Sequence, residues 1–128
     1  MSALPAAIHA LAGIALGALA GCAGRGVAPD APRVAQGLAI APYAAHRECL
    51  VATEGDRIDF TFDSSEPVRF GLSYREGGAA VSPIEQDATR AHAGVLAVLL
   101  TREYCLSWEA GTAGAIVDYR VRLRASGQ

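Results

Sequence analysis

Alternation of apolar and polar residues with a period of two is the feature that most narrows what this chain can become. In Arg57–Asp63, Ile58, Phe60 and Phe62 alternate with Arg57, Asp59, Thr61 and Asp63. In Pro67–Arg75, Val68, Phe70, Leu72 and Tyr74 alternate with Arg69, Gly71, Ser73 and Arg75. Near the end, Val117, Tyr119, Val121 and Leu123 alternate with Asp118, Arg120, Arg122 and Arg124. Successive side chains of a strand point to opposite faces, so each segment reads as a strand with one buried face. Glu54-Gly55-Asp56, Ser64-Ser65-Glu66-Pro67 and Gly77-Gly78 punctuate these runs as turns. Val95–Leu100 is apolar without alternation and predicts a strand covered on both faces, while Leu38–Ala45 and Ala79–Ile84 are weaker candidates. About seven or eight short strands with frequent turns predict an all-β fold, an antiparallel β-sandwich. No segment after Cys22 carries a helical stripe.

The N-terminal segment has a different character. Between Met1 and Gly21 there is no Asp, Glu, Lys or Arg, and Leu11–Ala20 is an apolar run. Its length suits the hydrophobic region of a secretion signal and falls short of the roughly 20 residues a bilayer-spanning helix needs. The run ends in Leu19-Ala20-Gly21-Cys22, which resembles the lipobox of bacterial lipoproteins. That resemblance implies cleavage before Cys22 and a thioether-linked diacylglycerol on its sulfur. A further acyl chain on the new amino terminus would make the anchoring stable. Ala23, where an Asp would imply inner-membrane retention, implies the outer membrane, with the domain facing the periplasm. The segment lacks the basic start usual in such signals, since only the amino terminus and His9 could carry charge. Residues 22–35 read as the lipidated N-terminus and a flexible linker, and residues 36–128 as the β-sandwich domain.

With Cys22 lipidated, Cys49 and Cys105 remain as an even pair in an exported chain, each in a strand-like apolar run. An oxidising compartment makes a disulfide the natural reading. Closing so long a loop is worth about 4 kcal/mol on the chain-entropy model. A metal site or catalytic thiol finds no supporting Cys-x-x-Cys or Cys/His spacing. The immunoglobulin pattern does not fit either, because Trp108 follows the second cysteine and Tyr104 immediately precedes it.

Glu48-Cys49-Leu50, the turn at Gly55, the Val68–Tyr74 strand and Tyr104-Cys105-Leu106-Ser107 together resemble the Golgi-dynamics (GOLD) domain of eukaryotic secretory cargo receptors. The resemblance covers roughly Arg47–Leu123. It implies a disulfide-linked β-sandwich used for protein–protein or lipid-associated interaction, without catalysis. The chain lacks that family's downstream coiled coil, transmembrane helix and sorting tail, so a cargo-receptor role is not implied.

Three functional classes compete. The first is a lipid-anchored, non-enzymatic binding or scaffolding module of the cell envelope. Its partner would be an envelope protein, glycan or lipid, with no cofactor and no metal. The second is a carbohydrate- or lipid-binding domain with an aromatic platform that includes Trp108. The third is a small envelope hydrolase. A net charge of −2 gives no electrostatic case for nucleic acid. Ser, His and Asp all occur without a nucleophile elbow. His46 and His92 read as surface or strand-end histidines, and Asp56, Asp59, Asp63 and Glu66 as a solvated rim.

Two interaction surfaces are candidates. Tyr104, Leu106 and Trp108 share one face of their strand. They form an exposed stripe if Cys105, on the other face, lies inside the fold, and ordinary core packing otherwise. Arg120, Arg122 and Arg124 form a basic row, available to phosphate or carboxylate ligands or to cross-strand acids such as Asp59 and Asp63.

Overall fold

The structure is a computed structural model and describes residues 31–126. Six strands follow in chain order: β1 (Arg33–Ile40), β2 (Ala45–Ala52), β3 (Arg57–Glu76), β4 (Ala79–Ala97), β5 (Arg102–Ala110) and β6 (Ala115–Arg124). All pairings are antiparallel, in the order β1-β6-β3-β5-β2, with β4 pairing to β3 alone. The all-β expectation holds, with fewer and longer strands than the seven or eight expected. β3 fuses Arg57–Asp63 with Pro67–Arg75, and β4 takes in Ala79–Ile84 and most of the region up to Ala97. β1 begins at Arg33 and so includes residues read from sequence as linker.

β3 organises the molecule. Its first part, Arg57–Ser64, pairs with β6, and its later part, Val68–Tyr74, pairs with β5. The expected turn at Ser64–Pro67 is instead an irregular stretch within the strand, where register against β4 shifts between Asp63 and Val68. Proline lacks the ladder donor and is tolerated at such a place. Ser64 Oγ donates to the Glu66 carbonyl at 2.6 Å, and Ser65 Oγ accepts from Ile116 N at 2.9 Å, which satisfies local polar groups. The Gly77-Gly78 turn is as expected. Both residues have positive φ (59° and 87°), the conformation a two-residue hairpin needs and glycine adopts without a Cβ clash.

The strands bring two runs of aromatics onto one core. Phe60, Phe62 and Phe70 of β3 meet Trp108 of β5, with Phe62–Trp108 centroids 6.0 Å apart in an edge contact. Trp108 in turn stacks on Tyr119 of β6 at 4.4 Å, although β5 and β6 are not hydrogen-bonded neighbours. β1 and β2, at opposite ends of the strand order, also make contact. Arg33 pairs with Glu48 at 2.9 Å and donates to the Cys49 carbonyl. Glu48 Oε1 accepts from Tyr119 Oη at 2.8 Å, and His46 Nε2 lies 3.1 Å from the same hydroxyl. Glu48 occupies the inward phase of β2 with Leu50 and Ala52, and this polar cluster gives its carboxylate partners there.

Val95–Leu100 departs from expectation. β4 ends at Ala97 and pairs only with β3, so it is an edge strand. Val95 and Leu99 are exposed, and of this run only Val98 is fully buried. Asp56, expected on a solvated rim, is buried. Its carboxylate accepts from Thr53 N (2.8 Å) and Ser126 N (2.9 Å), tying the β2–β3 turn to the end of the chain.

Candidate functional site

Cys49 and Cys105 form the expected disulfide (S–S 2.08 Å). They stand directly opposite each other on β2 and β5, with Cα atoms 4.0 Å apart. Period-two alternation then assigns the faces. Cys105, Ser107 and Glu109 lie on the outer side of β5, while Tyr104, Leu106 and Trp108 point into the core, each at most 2% exposed. The exposed-stripe reading of Tyr104, Leu106 and Trp108 is therefore overturned. The disulfide sits outside the core, the stripe inside it, and an aromatic platform built on Trp108 has no surface to present.

The outer side of β2, β5 and the second half of β3 carries a depression. Ladder pairing aligns Arg47 with Ser107 and Gly71 in one row, and Cys49 with Cys105 and Ser73 in the next. Two adjoining cavities of about 300 and 340 Å³ share Arg47 and Ser73 in their walls. The disulfide lines the first, and Gly71, which adds no side chain, lines the second. Arg75 and Glu103 border one end, while Arg69, Glu85 and Glu109 border the other. Arg69 is engaged by Asp87 (3.5 Å) and Glu85 (3.9 Å), and Arg75 by the Gly78 carbonyl. Among the described residues Arg47 has no carboxylate within ion-pair distance.

This trough offers one free guanidinium, three serine hydroxyls (Ser73, Ser82 and Ser107) and flanking carboxylates over a covalently fixed floor. Such groups recognise a polar ligand carrying an anionic group. Cys49, Cys105 and Glu103 present ligand atoms within 4.8 Å of one another, but sulfurs joined in a disulfide offer no thiolate to a metal. Among the described residues no histidine lines the trough. His46 packs against Trp108 and Tyr119, and His92 against Phe60 and Phe70, so both are half-buried core neighbours; His46 stands at a strand end, as one of the two expected placements has it, and His92 lies within β4.

Titration behaviour is perturbed in the core. Burial, followed by the hydrogen bond and charge of Glu48, pushes the Tyr119 hydroxyl up to about 12. Burial also raises Tyr104, against the opposing hydrogen bond its hydroxyl makes to the Leu100 carbonyl at 2.7 Å.

The arginine row lies on the outer face of β6. Arg124 pairs with Asp59 at 2.6 Å, as the cross-strand reading anticipates. Asp63 faces Asp118 instead of an arginine, and Asp118 accepts from Gly37 N. Arg120, Arg122 and Arg124 line a shallow depression of about 160 Å³ with Asp59, Phe60 and Thr61. The lipobox residues Leu19, Ala20, Gly21 and Cys22 lie outside the described residues. Arg47, Ser73 and Ser107 are site residues that the sequence reading did not single out. Their only sequence signal is that they fall on the polar phase of strands whose mutual register was unknown.

Comparison with known proteins adds no relative: no protein-family profile matches the chain, and no curated protein matches it.

Proposed function

We propose that the chain is a lipid-anchored, non-enzymatic binding module of the bacterial cell envelope, working through the trough beside Cys49–Cys105. The observation that carries this reading is the placement of Arg47, free of any described carboxylate, between Ser73 and Ser107 over a disulfide-fixed floor. The ligand is a polar envelope component with an anionic group, for which a carboxylated glycan has the right chemistry. Anchoring rests on Leu19-Ala20-Gly21-Cys22, and outer-membrane placement facing the periplasm rests on Ala23.

The architecture is a β-sandwich of the Golgi-dynamics type. Three features support this: the partner change along β3, the meeting of β1 with β2 and the shared aromatic core. The two motif segments behind the resemblance also meet in register, with Glu48 opposite Leu106, Cys49 opposite Cys105 and Leu50 opposite Tyr104.

Calorimetric titration of the mature protein with carboxylated oligosaccharides tests the trough. Arg47→Gln is expected to weaken binding about ten- to a hundredfold, the worth of a charge-assisted hydrogen bond. Equal affinity in the variant refutes the trough as the site. Labelled palmitate tests the anchor: incorporation is expected in the native chain and none in Cys22→Ser, and a labelled variant refutes lipidation at that residue.

A further inference from the structure

The end of the sheet at which the chain enters β1 has an unusual charge arrangement. Arg33 lies opposite Val121 and Val34 opposite Arg120, so the chain preceding β1 arrives beside Arg120–Arg124. On the same outer face Arg57 stands opposite Arg124, Asp59 opposite Arg122 and Thr61 opposite Arg120. Four guanidiniums thus share this patch with one carboxylate, Asp59, which is taken by Arg124. Like charges directly opposite one another weaken a sheet, so the Arg57–Arg124 pairing does nothing for folding. Glu54, in the adjoining turn, is an exposed acid, and Glu76 and Glu103 are exposed at the same end on the neighbouring strands, Glu76 paired with Arg102.

Apolar groups project at this same end. Leu99 is 76% and Leu100 37% exposed. Their loop is held to the sheet by Val98 N donating to the Asp56 carbonyl and Gly55 N donating to that of Val98, both at 2.9 Å. Arginines beside exposed leucines match the interface of an anionic bilayer, phosphate against guanidinium and acyl boundary against leucine.

We propose that this end is the membrane-facing surface of the anchored protein, docking on anionic lipid headgroups through Arg57, Arg120 and Arg122 with Leu99 and Leu100 at the acyl boundary. The proposal rests on lipidation at Cys22. The chain length from there to Pro32, about ten residues, spans at most about 36 Å, and a random chain of that length averages about 18 Å. The opposite end of the fold lies roughly 30 Å farther along β6, at about 3.3 Å per residue. The average reach falls well short of that distance, so the tether favours the arginine end, rather than the 111–114 turn, near the bilayer. It leaves the Arg69–Glu109 end of the trough turned toward the aqueous phase.

The test uses the mature protein, with acyl mass on its N-terminal peptide verified, in phosphatidylcholine vesicles with and without phosphatidylglycerol. A fluorophore is placed through Thr53→Cys at the arginine end or Thr112→Cys at the opposite end, and quenching by spin-labelled lipid is measured. Quenching is expected at 53 and not at 112, only with phosphatidylglycerol present. Arg57→Gln and Arg120→Gln, both on exposed arginines, should each lower the docked-to-undocked ratio about fivefold. Equal quenching at the two positions, insensitivity to phosphatidylglycerol, or indifference to both substitutions overturns the orientation while leaving the anchor intact. Absence of acyl mass on Cys22 overturns the anchor and the orientation with it.

Discussion

Gly94 sits on β4 opposite Phe60, and replacing it with alanine sets two opposed effects against each other. Glycine in a strand is ordinarily a liability, and alanine gains about 0.5–1 kcal/mol in backbone entropy. Here a Cβ would lie 2.9 Å from Phe60 Cζ and 3.2 Å from Cε1, closer than carbon atoms tolerate. The ring has little room to retreat. It is 4% exposed, with Phe70 centred 5.0 Å away on one side and His92 5.6 Å away on another. Overpacking of this kind costs about 1–3 kcal/mol. The net expectation for Gly94→Ala is a loss of about 1–2 kcal/mol, or roughly 4–15 °C in Tm for a domain of this size. Equilibrium urea unfolding with the disulfide intact measures it. Phe60→Leu supplies the internal control, because its smaller side chain makes room and should cancel the alanine penalty in a double-mutant cycle. Gly94→Ala at or above native stability would refute the packing of Phe60 over this strand.

Other perturbations probe the rest of the frame. Asp56→Ala removes the acceptor of two backbone N–H groups and should cost about 2 kcal/mol, with Asp56→Asn costing less, by the same unfolding assay. Selective reduction of Cys49–Cys105 should lower stability by about 4 kcal/mol, read from urea midpoints with and without reductant. The raised Tyr119 gives a signed pH dependence. Its folded value of about 12 exceeds the ordinary tyrosine value of 10.0, so its contribution is complete below pH 10 and is lost as pH rises through 12. Tyr119→Phe should flatten that alkaline loss, and an unchanged profile between pH 10 and 12 would contradict it. Trp108→Phe should cost less than the 3–5 kcal/mol typical of a large aromatic cut to alanine, because it also removes a buried indole N–H that has no partner among the described residues.

The sequence shows clearly the strands whose two faces differ. Ile58-Phe60-Phe62 and Val68-Phe70-Leu72 alternate because one side of β3 meets core and the other meets solvent, and both runs keep their phase through the irregular stretch. What hid their continuity is Ser64–Pro67, whose composition is that of a turn but whose hydroxyls satisfy a strand distortion. β4 was hard to read because an edge strand buries little. Ala91, Ala93, Val95 and Ala97 face solvent with no polar residue to mark the outer phase, and Ala88, with φ of 51°, breaks the pattern midway. The cysteine pairing was legible because few partners were available. The side it occupies was not, because alternation fixes relative phase along β5 but leaves open which phase meets the core. The trough was illegible for a related reason: Arg47, Ser107 and Gly71 become neighbours only through the register of three strands distant in sequence.

In-cell photo-crosslinking from position 73, with position 108 as a buried control, tests most directly the claim that this is a binding module working through the disulfide trough. A discrete envelope adduct from 73, absent from 108 and lost with Arg47→Gln, is the predicted result. An anchored, folded protein that gives no adduct from 73, or gives one that Arg47→Gln leaves unchanged, contradicts it.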